Sequence, residues 1–250
     1  MGSTYHRAYR FLAAPAENVG WSILAALIPG LILLGIAPWL LRFHGQWVTA
    51  LLLWIGVPTI EHSSIFGLMP MVVPEVSSYA PHHTFYPAAV GIAGCAISLM
   101  LLVRYTRLTP LRVVVGVAAL ACGVSGAFFY FAGDRFPYDA AEFAALWTRA
   151  EFVIWLIVPV LMAIVLGPLP LRPALTFLYS AMTVLYAIWF SVIRLTLLLT
   201  FFHVAGLVWL PPAYFLTGFL ADFLYIVGFY SVAVSRTARN LRARSEVWQW

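Results

Sequence analysis

The feature that most constrains this chain is a series of long apolar runs almost free of charge, beginning with Val19–Leu41. A helix rises about 1.5 Å per residue, so about 20 such residues cross a hydrocarbon core about 30 Å thick. Further runs lie at about Ala88–Val103, Val113–Ala132, Leu146–Leu166, Pro173–Phe201 and Pro212–Ser235. Backbone polar groups in hydrocarbon must be satisfied within their own segment or a closed barrel. No alternating strand-length pattern of the barrel kind is present. Composition agrees, because a chain 63% hydrophobic and only 9% charged could not cover a soluble fold with polar surface. The sequence therefore predicts an all-α fold: a polytopic transmembrane helix bundle of six or seven spans. It forms a single integral membrane domain over residues 1–250, with no soluble domain and no cleavable signal peptide.

The uncertainty in the count lies between Trp47 and Val73. Trp47–Ile60 is apolar but short, carries Pro58 and runs into Glu61 and His62. It reads as a re-entrant or interfacial helix, or as a span continuing to Val73. Pro74–Pro87, rich in turn-forming residues, reads as a loop, and Gly206–Pro212 as a turn between the last two spans.

Arginine placement sets the orientation, since basic residues concentrate on the cytoplasmic side. Arg236, Arg239, Arg242 and Arg244 follow the last run, three arginines lie in Arg104–Arg112, and Arg172 lies in Gly167–Pro173. All three segments fall on one side if every run from Ala88 onward spans, so the C-terminus is cytoplasmic. His6, Arg7 and Arg10 favour a cytoplasmic start and six spans, whereas Arg42 favours an exported start and seven. The location expected is a bacterial cytoplasmic (inner) membrane. The net charge of +5 encodes this orientation and needs no nucleic-acid partner. The chain has no lysine, which excludes Schiff-base chemistry through that residue.

This topology gathers polar residues at the outer face: Glu61, His62, Glu75, His82, His83, Asp134, Arg135, Asp139, Glu142, Arg149, Glu151 and His203. Arg194 reaches the outer interface, about 30 Å along its helix from the cytoplasmic end. Asp222 lies about 15 Å below the outer end of the final run, near mid-membrane. Intramembrane charges of this kind are costly and are paired, hydrated or functional. Asp222, Arg149 and Glu151 are candidates for binding a substrate or partner, with Arg194 or Arg149 as structural partners of Asp222. Glu61, His62, His82 and His83 are weak candidates for metal ligands. No spacing places two imidazoles on one helical turn, so no metal site is assigned. The sequence does not identify a cofactor. Cys95 and Cys122 both fall at mid-membrane depth, where a thiolate is disfavoured.

Gly123-Val124-Ser125-Gly126 with downstream His203 is similar to the serine and histidine of rhomboid intramembrane proteases. Their serine begins a helix descending from the outer side, whereas Ser125 lies late in a helix rising from the cytoplasm. Close helix packing by small residues accounts for it better.

WVTALLLWIGVPTIEHSSIFGLMPMVVPEV and YAIWFSVIRLTLLLTF, followed by PPAYFLTGFLADFLY, resemble segments of the exosortase/archaeosortase family. These are membrane transpeptidase-like enzymes that process C-terminally anchored surface proteins. The first stretch resembles the family's early apolar run with its Gly-Val-Pro-like turn. The second resembles the helix bearing its Asn-x-x-Arg element and the helix after it. The resemblance implies an outer-face site with Arg194 positioning a carbonyl or carboxylate and His203 or a loop histidine as acid or base. The chain departs from the family at three places. Ser191 stands for the asparagine, Val76 falls where the cysteine motif would, and Tyr214 or Phe215 stands about where the histidine would.

Two functions are thus expected. One is an exosortase-type enzyme, or a relative without its usual chemistry, acting on an exported polypeptide or lipid-linked substrate. The other is a non-catalytic membrane subunit of a larger complex, packing on partner helices, lipid or pigment.

Overall fold

The computed structural model describes residues 16–67, 69–77, 85–105, 109–135, 139–169 and 171–242. Its elements are α1 (Ala16–Ile55), β1 (Thr59–Phe66), β2 (Met69–Val76), α2 (Phe85–Tyr105), α3 (Thr109–Ala132), α4 (Ala140–Leu166), α5 (Pro173–Ala205), α6 (Leu210–Thr217) and α7 (Phe219–Arg242). Single 3-10 turns at Gly133–Arg135 and Leu207–Trp209 follow α3 and precede α6. The helical class is as expected, with one antiparallel hairpin added. Four helices are long and apolar enough to cross a membrane by length and composition: Val19–Ile55 of α1, Arg112–Ala132 of α3, α4 and α5. The chain is a helical membrane protein.

Three expectations are corrected. The first run and Trp47–Ile55 are one helix of 40 residues, unbroken through Arg42, His44 and Gly45. A lone glycine costs a helix only about 1 kcal/mol, too little to end it where packing favours continuation. The helix ends instead at Gly56, whose φ of +90° suits a residue without Cβ. There the Val57 and Gly56 amides donate to the Leu52 and Leu53 carbonyls, a Schellman closure. Second, Glu61 and His62 lie on β1, and Pro74–Val76 belongs to β2. The two strands pair in register from Thr59↔Val76 to Phe66↔Met69, around a turn in which Gly67 takes a φ of +61°. Third, Pro212–Ser235 is no continuous run. The chain breaks at Gly218, so Asp222 lies in the first turn of α7. A carboxylate there meets the positive end of the helix dipole.

The chain forms two compact units. One comprises Met1–Leu40, Arg149–Ser191 and Asp222–Trp250. Within it α1 and α5 are tied by Ser180, whose hydroxyl donates to the Ala26 carbonyl at 2.7 Å. Gly30 admits Pro159 of α4, whose Cγ would stand 3.3 Å from a Cβ on that glycine. Tyr186 of α5 packs its ring on Tyr225 and Phe229 of α7.

The other unit comprises Leu41–Thr148 and Val192–Ala221. Here α2 and α3 close on Ala89, Ile92, Ala96, Cys122 and Phe129, with Val208 beside them. Gly126 permits the approach, since a Cβ there would stand 3.1 Å from the Ala89 carbonyl oxygen. The Ser125 hydroxyl donates to the Val208 carbonyl at 3.0 Å. The hairpin sits against α1 at Gly45, where a Cβ would fall 2.1 Å from the Val72 carbonyl oxygen.

Candidate functional site

Helix α5 brings Ser191, Arg194 and His203 into the protein interior, all buried. Arg194 is 2% exposed. Its Nη1 donates to the Thr217 carbonyl at 2.7 Å and the Gly218 carbonyl at 3.1 Å. These carbonyls sit where α6 ends, and the last carbonyls of a helix have no amide partner within it. A guanidinium supplies donors and a positive charge at the negative end of the helix dipole. Its carbon lies 5.4 Å from the ring centroid of buried Trp147, within cation–π range. Trp147 meets Tyr214 edge to face at 5.3 Å, and Phe143 packs on both rings. The result is an arginine held between a broken helix and an aromatic wall.

His203 is held elsewhere. Its Nδ1 bonds the Ser77 backbone carbonyl beyond β2. A carbonyl only accepts, so Nδ1 carries the hydrogen, and in the neutral ring Nε2 is the basic nitrogen. Arg194 and His203 stand nine positions apart on one helix. At 100° per residue their Cα positions face opposite sides, about 13.5 Å apart along the axis. The two residues expected to share a reacting carbonyl are not brought together by their backbone positions.

The remaining candidates are dispersed. Glu151 is buried on α4, and Arg149 two residues earlier projects about 200° away around that helix. Asp222 is buried in the first turn of α7. On the hairpin, His62 Nε2 pairs with Glu75 Oε2 across the strands, both side chains about half exposed. His82 and His83 lie outside the described residues. Among the described residues no group of three or more His, Cys, Asp or Glu side chains could hold a metal.

Cys122 is in the α2–α3 core, and Cys95 packs against that core. One of the candidate acids proves to be local structure: Asp139 Oδ1 accepts from the Glu142 backbone amide at 2.7 Å, capping α4. Sequence reasoning missed Trp147, Gly45 and Gly218, and placed Tyr214 only about where the resembled family's histidine would stand. Trp147 reads as an ordinary interfacial aromatic, and the glycines carried no signal of what approaches them.

No family model, curated protein or solved structure matches the chain. Fold and side chains alone define the class, a helical membrane protein with a buried arginine locked to a helix break.

Proposed function

We propose that this protein is a non-catalytic component of a bacterial inner-membrane assembly, an exosortase-like scaffold that holds an exported polypeptide without processing it. In this reading the chain has six spans, with α1 starting in the cytoplasm and the arginine-rich C-terminus returning there. The arginines of Arg104–Arg112, Arg172 and the tail then share one side. The observation that carries the reading is the engagement of Arg194. The residue that resembles the family's arginine spends its Nη1 donors on the Thr217 and Gly218 carbonyls. The histidine proposed to work with it starts from the opposite face of α5. Both cysteines sit in or against apolar packing, away from a site where a thiolate is favoured.

The deciding experiment compares Arg194→Leu and Arg194→Lys in lipid nanodiscs. A structural arginine predicts a lower midpoint of thermal unfolding in Arg194→Leu, by several degrees, because two buried carbonyls lose a charged donor worth roughly 1.5–3 kcal/mol each. Arg194→Lys should recover part of it, lacking the planar fork. The enzyme reading expects wild-type stability in both variants, with loss of processing of an anchored surface protein. That outcome would replace the scaffold reading.

A further inference from the structure

The hairpin has two edges, and they differ in chemistry. In an antiparallel pair, alternate residues turn both N–H and C=O toward the same edge. Pro70 and Pro74 of β2 have no N–H to give the ladder, and the Val72 carbonyl is directed at Gly45 of α1. These three positions therefore face away from β1. Their register partners on β1, Ile65, Glu61 and Ser63, must face away from β2 in the same way. The β2 edge is thus shut twice over, by two prolines and by a helix against its carbonyl.

Among the described residues, β1 carries no feature that blunts its outer edge at Glu61 and Ser63. Soluble sheets blunt exposed edges with proline, lysine, bulges or a covering element. TIEHSSIF contains neither proline nor lysine, its pairing to β2 runs without a bulge, and Ile60 through Ser63 are exposed. The backbone groups of Glu61 and Ser63 lie on this edge, beyond the Ile55 end of the candidate span. Charge selects among strands that could add to it. No arginine or lysine occurs between Arg42 and Arg104, and Glu61 and Glu75 are the acids of that stretch, in a chain whose net charge is +5. Glu75 is matched by His62, which leaves Glu61 on the outer strand as the charge facing a newcomer.

We propose that the β1 edge of the hairpin, at Glu61 and Ser63, binds an extended segment of a polypeptide carrying basic side chains, which joins the sheet as a third, edge-on strand. Main-chain hydrogen bonds to Glu61 and Ser63 provide the register, and a basic residue opposite Glu61 provides the preference. The source of the segment, an exported chain, rests on the topology proposed above; the recognition itself does not.

The test uses the full chain in lipid nanodiscs, where both faces are open, and a fluorescent octapeptide of alternating threonine and lysine. The expected result is saturable binding, at least fivefold weaker for the same peptide with glutamate in place of lysine. Glu61→Gln should weaken binding about threefold, and Ser63→Pro, which removes an outward N–H and leaves the ladder to β2 intact, at least fivefold. Hydrogen exchange at the Glu61 and Ser63 amides of the wild-type chain should slow on peptide addition, a readout independent of how the proline variant folds. Unchanged exchange at these amides, equal binding of the glutamate peptide, or full affinity in a folded Ser63→Pro variant overturns the proposal. So does efficient disulfide pairing of a Ser63→Cys variant with a second copy, which would give the edge a different occupant. Labelling of Ser63→Cys in intact cells by a membrane-impermeant maleimide tests sidedness separately. Labelling only after lysis removes the exported source and the topology, while leaving peptide binding to stand or fall alone.

Discussion

Gly45 shows how far one missing methyl group reaches. A Cβ at this position would lie 2.1 Å from the Val72 carbonyl oxygen and 2.9 Å from the Val72 Cβ, so the hairpin rests directly on the α1 backbone. Gly45→Ala should move the hairpin and cost about 1–3 kcal/mol, as overpacking of a fitted contact does. Thermal unfolding would register the loss, and limited proteolysis should cut faster within Thr59–Val76; equal cleavage rates would mean the contact is not structural. The cysteines make the opposite prediction. Cys95→Ala and Cys122→Ala each remove a single sulfur from apolar packing, so assembly with partners should stay within a few-fold of wild type, as quantitative copurification would show. Loss of assembly or of a processing activity in either variant, at normal expression, would return thiol chemistry to consideration. Arg194 and the cysteines could be picked out from the sequence because charge and depth are properties of single positions. Trp147 could not, since its partner Tyr214 is brought to it only by tertiary packing.

At the scale of elements, helix ends were harder to read than helix bodies. The break at Gly218 lies within LTGFLAD, where apolar residues continue on both sides and nothing marks an end. Strands β1 and β2 were hidden for a related reason: Pro70 and Pro74 argue against a strand unless their nitrogens face away from the ladder, which register alone decides. Two elements offer direct tests. Asp139→Ala removes the cap of α4 and should cost roughly 1 kcal/mol in unfolding free energy. Gly56→Ala places a Cβ at a φ of +90° and should cost about the same or more by destabilising the end of α1. A wild-type unfolding midpoint in either variant would show that the terminus is held by something other than its own cap.

For the whole molecule, the apolar runs predicted the helices because hydrocarbon imposes one rule on every buried backbone group. The number of crossings did not follow so directly, since Val19–Leu41 and Trp47–Ile55 are one helix despite the polar residues between them. In the proposed six-span topology, single cysteines placed in a cysteine-free chain should be labelled from outside intact cells at Ser63 and Arg135. A cysteine at Arg239 should be labelled only after lysis. Outside labelling at Arg239 would invert the topology and every face assigned from it.

The lock at Gly218 also constrains the order in which the protein can be assembled. A guanidinium entering a dry interior alone is costly, and so are two carbonyls without donors. Arg194 is synthesised before Thr217 and Gly218, so α5 must keep that side chain hydrated, or turned toward the headgroups, until α6 arrives. The two penalties cancel only when both segments go under together. Burial of Arg194 and closure of α6 are therefore one cooperative step, completed after the α5 sequence has left the ribosome. A chain truncated before Leu210 should leave Arg194 accessible to water, and hydrogen exchange along α5 should be faster there than in the full-length protein.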